Sequence, residues 1–195
     1  MNSNIPMKSK LIDIAVIVTV IVGIICGVWI EMNSYSRAWN TKGSTFFNEA
    51  KYDDALKAFD RATRLNPENA LAWYNRGQTL MILGKFRAAV YSFDKATEID
   101  PDYADAWLNR GIALSYLESY DESLISFGKS IKIKPGLAGA WYGKASSYSM
   151  ENKTGEAISA LKEAIRLNPS FKNRALIDNS FHNLRLTPEF IKIMR

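Results

Sequence analysis

ALAWYNRGQTLMILGKFRAAVYSFDKATEIDPDY (residues 70–103) is followed without a gap by ADAWLNRGIALSYLESYDESLISFGKSIKIKPGL (residues 104–137), and the two segments align position by position over 34 residues. Trp73 and Trp107 stand at the same place, as do Gly77 and Gly111, Phe93 and Phe127, and Pro101 and Pro135. The register runs on in both directions, to Trp39 and Pro67 in residues 36–69 and to Trp141 and Pro169 in residues 138–171. A fixed period of this length is the mark of a stacked repeat, in which each unit buries its apolar face against its neighbours.

Each unit reads as two amphipathic helices, A and B. Helix A carries the Trp and, one turn later, Gly43, Gly77, Gly111 or, in the fourth unit, Ala145. Glycine inside a helix costs about 1 kcal/mol relative to alanine, so its recurrence calls for close approach of helix B, which offers small residues at Ala55, Ala89, Ser123 and Ala157, and again at Ala62, Ala96, Ser130 and Ala164. The Trp side chains, with Phe59, Phe93, Phe127 and Leu161, are expected to fill the gaps between helices. The turns from A to B fall at Ala50-Lys51-Tyr52, Gly84-Lys85-Phe86 and Glu118-Ser119-Tyr120. Proline closes helix B because it lacks an N–H and clashes with the preceding turn, and Asn69 and Asp102 are placed to cap the next helix A.

This pattern resembles the tetratricopeptide repeat (TPR) family over roughly 70% of the chain. The departures are mild: Ala145 for Gly, Thr154 for an aromatic, and Ser123 and Ser130 for Ala. The resemblance implies an all-α fold in which four helix-turn-helix units (36–69, 70–103, 104–137 and 138–171) build a right-handed superhelical solenoid. Residues 172–195 follow as a capping helix and tail. Repeat arrays need such a cover over their last face, and Ile177, Phe181 and Leu184 continue the helical pattern from about Phe171 to Leu186. Thr187-Pro188-Glu189 reads as a fresh helix start, with Thr as cap and Pro at the first position.

Before the repeats, residues 11–30 form an apolar stretch broken only by Asp13, after a short tail of residues 1–10. Twenty helical residues span about 30 Å, one bilayer core. Asp13 and Trp29 then stand near its two edges, where a carboxylate and an indole are tolerated. The segment is read as a transmembrane signal anchor, joined to the repeats by residues 31–35. These contain neither Gly nor Pro, so the two helices are expected to run nearly straight into one another. A cleaved signal peptide, cut near Ser34-Tyr35-Ser36, is the competing reading, although its apolar core is usually shorter. Ile25 immediately before Cys26 does not suit lipoprotein processing, and the repeats need no additional buried core helix. Lys8 and Lys10 ahead of the span, against Glu31 after it, put the N-terminus in the cytoplasm and the repeats outside it. Arg37 and Lys42 make that bias small.

The net charge of +5 is owed partly to the tail, where Lys172, Arg174, Arg185, Lys192 and Arg195 outnumber Asp178 and Glu189. That is mild attraction for anionic surfaces, not a nucleic-acid footprint. A single cysteine, Cys26, excludes an intrachain disulfide. No catalytic constellation, metal-ligand cluster or phosphate-cradling loop is found, so no enzyme activity, cofactor or metal is expected. His182, the one histidine, is read as a surface or packing residue. The acidic pairs Asp53-Asp54 and Asp121-Glu122 suit the dipole at the starts of B helices. Asn152-Lys153-Thr154 is a glycosylation sequon on an exposed turn.

In the resembled family the A helices line a concave groove that often holds an extended peptide. The resemblance places Arg37, Asn40, Ser44 and Phe47 there from the first unit, and Leu71, Tyr74, Gln78 and Met81 from the second. The third gives Asp105, Leu108, Ile112 and Ser115, and the fourth Gly139, Tyr142, Ser146 and Ser149. Asn75 and Asn109 stand where some members bond a ligand's backbone, since an amide both donates and accepts. Asp105 would repel a C-terminal carboxylate, so tail capture of the chaperone type is not expected. The partner-binding candidates are Asn40, Tyr74, Asn75, Gln78, Met81, Leu108, Asn109, Ile112 and Tyr142, with the tyrosines as exposed anchors for an apolar or aromatic segment. The expected function is a membrane-anchored scaffold for a protein or peptide partner, with no nucleic acid. The alternatives are a self-associating structural component, as a homo-oligomer, and a non-catalytic subunit of an enzyme complex.

Overall fold

The computed structural model describes residues 7–195, with side chains from Val18 onward. Ten α-helices follow one another among the described residues: α1 Met7–Asn48, α2 Tyr52–Leu65, α3 Ala70–Ile82, α4 Phe86–Ile99, α5 Ala104–Tyr116, α6 Tyr120–Ile133, α7 Ala138–Met150, α8 Thr154–Leu167, α9 Ser170–Ile177 and α10 Pro188–Met194. A 3₁₀ turn at Asn179–Phe181 lies between the last two. Successive helices pack as antiparallel pairs, α1 with α2 through α7 with α8, and each pair stacks on the next. The result is an all-α solenoid.

The reason for the helix A glycines is sharper than expected. It is the ring of helix B, not its small residues, that closes on them. A Cβ built on Gly43, Gly77 or Gly111 would come within 2.6, 2.5 and 2.7 Å of Phe59, Phe93 and Phe127 respectively. These phenylalanines are buried to 1% exposure or less and carry the core, each burial being worth about 2–3 kcal/mol. In the fourth unit Ala145 replaces the glycine and Leu161 the phenylalanine, and both sit in one buried cluster. The tryptophans are only partly buried. Trp73, Trp107 and Trp141 donate their indole N–H to the carbonyls of Pro67, Pro101 and Pro135 at 2.8–3.0 Å. Each ties its helix to the loop before it.

A polar clip joins the first three units. Arg76 bonds Asp60 (2.6 Å) and Ser92 (2.6 Å), bridging α2, α3 and α4. Arg110 repeats this with Asp94 (2.5 Å) and Ser126 (2.6 Å). Between units three and four the corresponding residues are Gly128 and Lys144. There Ser147 meets Ser123 at 2.7 Å and Ser115 at 3.3 Å instead.

The turns from A to B all use one left-handed residue: Ala50 (φ 58°), Gly84 (68°), Glu118 (60°) and Asn152 (59°). The N–H of the next residue returns to a carbonyl five residues back, as in Lys51 to Phe46 and Ser119 to Leu114. This is the Schellman closure that satisfies the helix's last carbonyls. At the other end of the units Asn69 caps α3, accepting from the Ala72 N–H. Asp102 does not play that part for α5: the position equivalent to Asn69 is Tyr103, which holds the cap without a side-chain bond, and Asp102 stands one residue before it.

The C-terminal cover is not one helix. Asp178 adopts an extended backbone that ends α9, and its Oδ1 accepts from the N–H of Ser180. Phe181, Leu184 and Phe190 then fold onto α7 and α8 in the same buried cluster as Tyr142, Ile158 and Leu161. Ile177, expected on the buried face, is 80% exposed. Thr187 caps α10 by accepting from the Phe190 N–H, with Pro188 at the first position.

No linker separates the apolar segment from the first repeat. Residues 31–35 are helical and α1 is unbroken from Met7, ahead of the expected start at Leu11. From Val18 to Ile30 its apolar side chains are exposed all round, and the helix is long and apolar enough to cross a membrane. The flanking roles of Lys8, Lys10 and Asp13 fall outside the described side chains.

Candidate functional site

The groove candidates divide into an interlocked set and a cavity-lining set. In the first, Asn75 donates from Nδ2 to Oδ1 of Asn40 across the first two units (3.0 Å). The Tyr74 hydroxyl accepts from Gln78 (2.9 Å) and from Asn109 (3.2 Å), while Asn109 also donates to the Asp105 carbonyl (2.8 Å). The Tyr74 ring lies 4.8 Å from that of Tyr103 and 6.0 Å from that of Phe93. These side chains therefore bond one repeat to the next. Both amide hydrogens of Asn109 are used within the array, at the place from which some members of the resembled family bond a ligand's backbone. Burial raises the Tyr74 phenol, with Asp105 adding to the effect and the Asn109 bond opposing it. Burial likewise pushes Tyr103 up to about 12. Met81 packs beside the buried cluster of Leu80 and Phe93.

The second set lies further along. Leu108 and Ile112 of α5 and Gly139, Tyr142, Gly143 and Ser146 of α7 border a cavity of about 630 Å³. That volume falls in the range of sites for small ligands or large side chains. Gly139 leaves space where the third unit has Asp105, and Gly143 stands where that unit has Asn109. Gly143 lets α7 approach the Phe127 ring so closely that any Cβ there would overlap it.

The far wall comes from the C-terminal cover, through Phe171, Arg174, Asp178 and His182. None of these was read as a site residue: Phe171 closes the fourth unit, and Arg174, Asp178 and His182 lie beyond it, outside the 34-residue period. Tyr142 is not an exposed anchor. It is 5% exposed, its ring stacks on Phe171 at 4.5 Å, Arg174 lies 5.0 Å over it, and its hydroxyl donates to Asp178 at 2.7 Å. Burial raises the Tyr142 phenol, and the Asp178 bond raises it further. For Asp178 burial works upward, but the bonds from Ser180 and Tyr142 and the charge of Arg174 outweigh it and hold the carboxyl below its usual range.

His182 is exposed, with Nδ1 2.9 Å from the Asn179 carbonyl. Among the described residues no group of His, Cys, Asp and Glu is placed to hold a metal ion. The cavity thus offers apolar and aromatic walls with one bonded polar corner, and no reactive group is set against another. The Asp60–Arg76 and Asp94–Arg110 clips were missed, although both residue types recur at the 34-residue step.

Sequence comparison matches models described as tetratricopeptide repeat to residues 40–104, 92–124 and 138–171. Among curated proteins none matches the chain. Solved structures share the fold. MamA residues 41 to the end from Desulfovibrio magneticus RS-1 is 19% identical, with a TM-score of 0.68 over 84% of this chain and 95% of that one. YrrB, described as a TPR protein with an unusual peptide-binding site, is 18% identical, with a TM-score of 0.67 over 84% and 86%. The first TPR domain of Spaghetti (RPAP3), bound to the HSP90 peptide SRMEEVD, is 21% identical, with a TM-score of 0.60 over 62% and 95%. The repeat register, the Phe-on-Gly packing and these matches agree: the chain belongs to the tetratricopeptide repeat family.

Proposed function

We propose that this chain is a membrane-anchored, non-catalytic scaffold that binds a peptide segment or partner protein in its concave groove. The observation that carries the reading is the cavity of about 630 Å³ between α5, α7 and the C-terminal cover, which opens into the groove and is walled by apolar and aromatic groups. Repeat scaffolds of this kind serve many roles, and peptide complexes of fold neighbours such as the RPAP3 domain support a binding role. Of the nine candidates, Leu108, Ile112 and Tyr142 border the cavity. Asn40, Tyr74, Asn75, Gln78, Met81 and Asn109 would contribute the groove surface leading to it.

The exposed apolar stretch of α1 supports anchoring. Against cleavage near residues 34–36 stands the packing of that region: Ser36 is fully buried and its Oγ donates to the Ala62 carbonyl at 2.9 Å. Removing it would take away part of the first repeat. The small charge bias supports a topology with the repeats outside the cytoplasm, at the face of the cell membrane. Protease treatment of intact cells tests this, since external repeats are digested before lysis.

Binding is tested with a photo-crosslinking amino acid at Ile112, with exposed Ile125 on α6 as the control. A discrete adduct from position 112 alone is expected in native membranes. Equal labelling from both positions, or none, would overturn the groove assignment. Tyr74→Ala is a poorer probe than the sequence suggests, because it also removes the partner of Asn109.

A further inference from the structure

We infer that the first repeat rests on the bilayer surface through the loop between α2 and α3, residues 66–69, and that the solenoid is held edge-on to the membrane. This rests on the anchor reading of α1. The helix is continuous from Met7 to Asn48 and has no hinge between its apolar part and the first repeat. Three bonds fix the repeat to it directly beyond the apolar stretch. Asn66 donates from Nδ2 to Oδ1 of Asn33 at 2.9 Å. Ser36 bonds the Ala62 carbonyl at 2.9 Å and accepts from Asn69 at 3.3 Å.

Distances along α1 then set the height of the loop. Asn33 is three residues past Ile30, about 4.5 Å at the helical rise. The headgroup layer beyond each side of the hydrocarbon core is about 5–8 Å thick. Asn66, bonded to Asn33, therefore lies in that layer, and Pro67 and Glu68 lie beside it.

The neighbouring side chains suit such a position. Trp29 and Tyr35 are 63% and 61% exposed, amphipathic rings of the kind found where hydrocarbon meets water. On α1 within two turns of Ile30, Glu31 offsets Arg37, and in and beside the loop Glu68 offsets Arg64, all four exposed. The contact is thus set by geometry and needs no anionic lipid. The turn from α3 to α4, at the other end of α3, stands about 20 Å further out, the length of that helix.

The test uses the full chain with its single native cysteine removed (Cys26→Ala), in phosphatidylcholine vesicles containing lipid with a nitroxide-labelled headgroup. A fluorophore is attached at Glu68→Cys, Lys51→Cys or Lys85→Cys, all exposed positions. The label at 68 is expected to be quenched at least threefold more than at 51 or 85. Equal quenching at all three positions, with the protein floating with the vesicles, would overturn the docked edge and leave the anchor intact. Failure to float would overturn the anchor itself. Quenching at 68 that appears only when anionic lipid is added would overturn geometry as the cause of the contact.

Discussion

Gly143 in the fourth repeat lies against the ring of Phe127 in the third, leaving no room for a side chain between them. Phe127 also lies against Gly111, so one ring meets glycines of two successive units. Gly143→Asn, which restores the residue type found at this place in units two and three, forces the ring aside. Overpacking of this kind costs about 1–3 kcal/mol. Gly128→Ala, one residue from the same ring but facing open space, should instead stabilise α6 by about 1 kcal/mol. Urea unfolding of both variants checks the pair, and shifts of the same sign would contradict the steric explanation.

Glu118 adopts a left-handed backbone at φ 60° where the second unit has Gly84 at 68°. That conformation costs a residue bearing a Cβ about 1–2 kcal/mol. Glu118→Gly is expected to raise the melting temperature and Gly84→Ala to lower it. A fall in both would show that the side chain at 118 matters more than its backbone.

Arg110 is largely buried and is shared between Asp94 and Ser126. Hydrogen bonds to a charged group are worth about 1.5–3 kcal/mol. Arg110→Ala should destabilise by an amount in that range, and its cycle with Asp94→Ala should show coupling. The matched substitution Lys144→Ala, in the joint that has no such clip, should cost well under about 1 kcal/mol. Additive losses at 94 and 110 would mean the pair acts through packing alone.

The C-terminal cover depends on pH through Asp178 and Tyr142. The Asp178 carboxyl is held below its usual range, so its contribution is complete above about pH 4 and is lost as pH falls through the lower folded value. The Tyr142 phenol is raised, so its contribution is complete below about pH 10 and is lost as pH climbs toward the higher folded value. Melting of the wild type and of Asp178→Asn should differ most near neutrality and converge only as pH falls below about 4. An offset that does not change with pH would rule out the carboxylate as its cause.

The helices and their stacking were legible because Trp, Gly, Phe and Pro each meet a steric demand that recurs every 34 residues. The left-handed positions 50, 84, 118 and 152 keep the same step, but Ala, Gly, Glu and Asn share no chemistry that advertises it. The groove was legible in outline only. Tyr74 and Asn109 were correctly placed on helix A, but their bond to each other depends on the rotation between units, which no single unit encodes. The cavity wall at Asp178 and His182 was hidden for a different reason: it follows from a chain reversal governed by one extended residue beyond the last repeat.

The unbroken run of α1 also gives the groove a compass bearing. Each residue of an α-helix advances the direction of its neighbours by about 100°. Between Ile30 and Asn33 the chain length is therefore a phase angle as much as a spacer. Deleting Glu31 would leave both the apolar helix and the repeats intact in composition, yet swing the mouth of the cavity by more than a quarter turn about the helix axis. With α1 anchored as proposed, a partner fixed in the same membrane would then find it facing elsewhere.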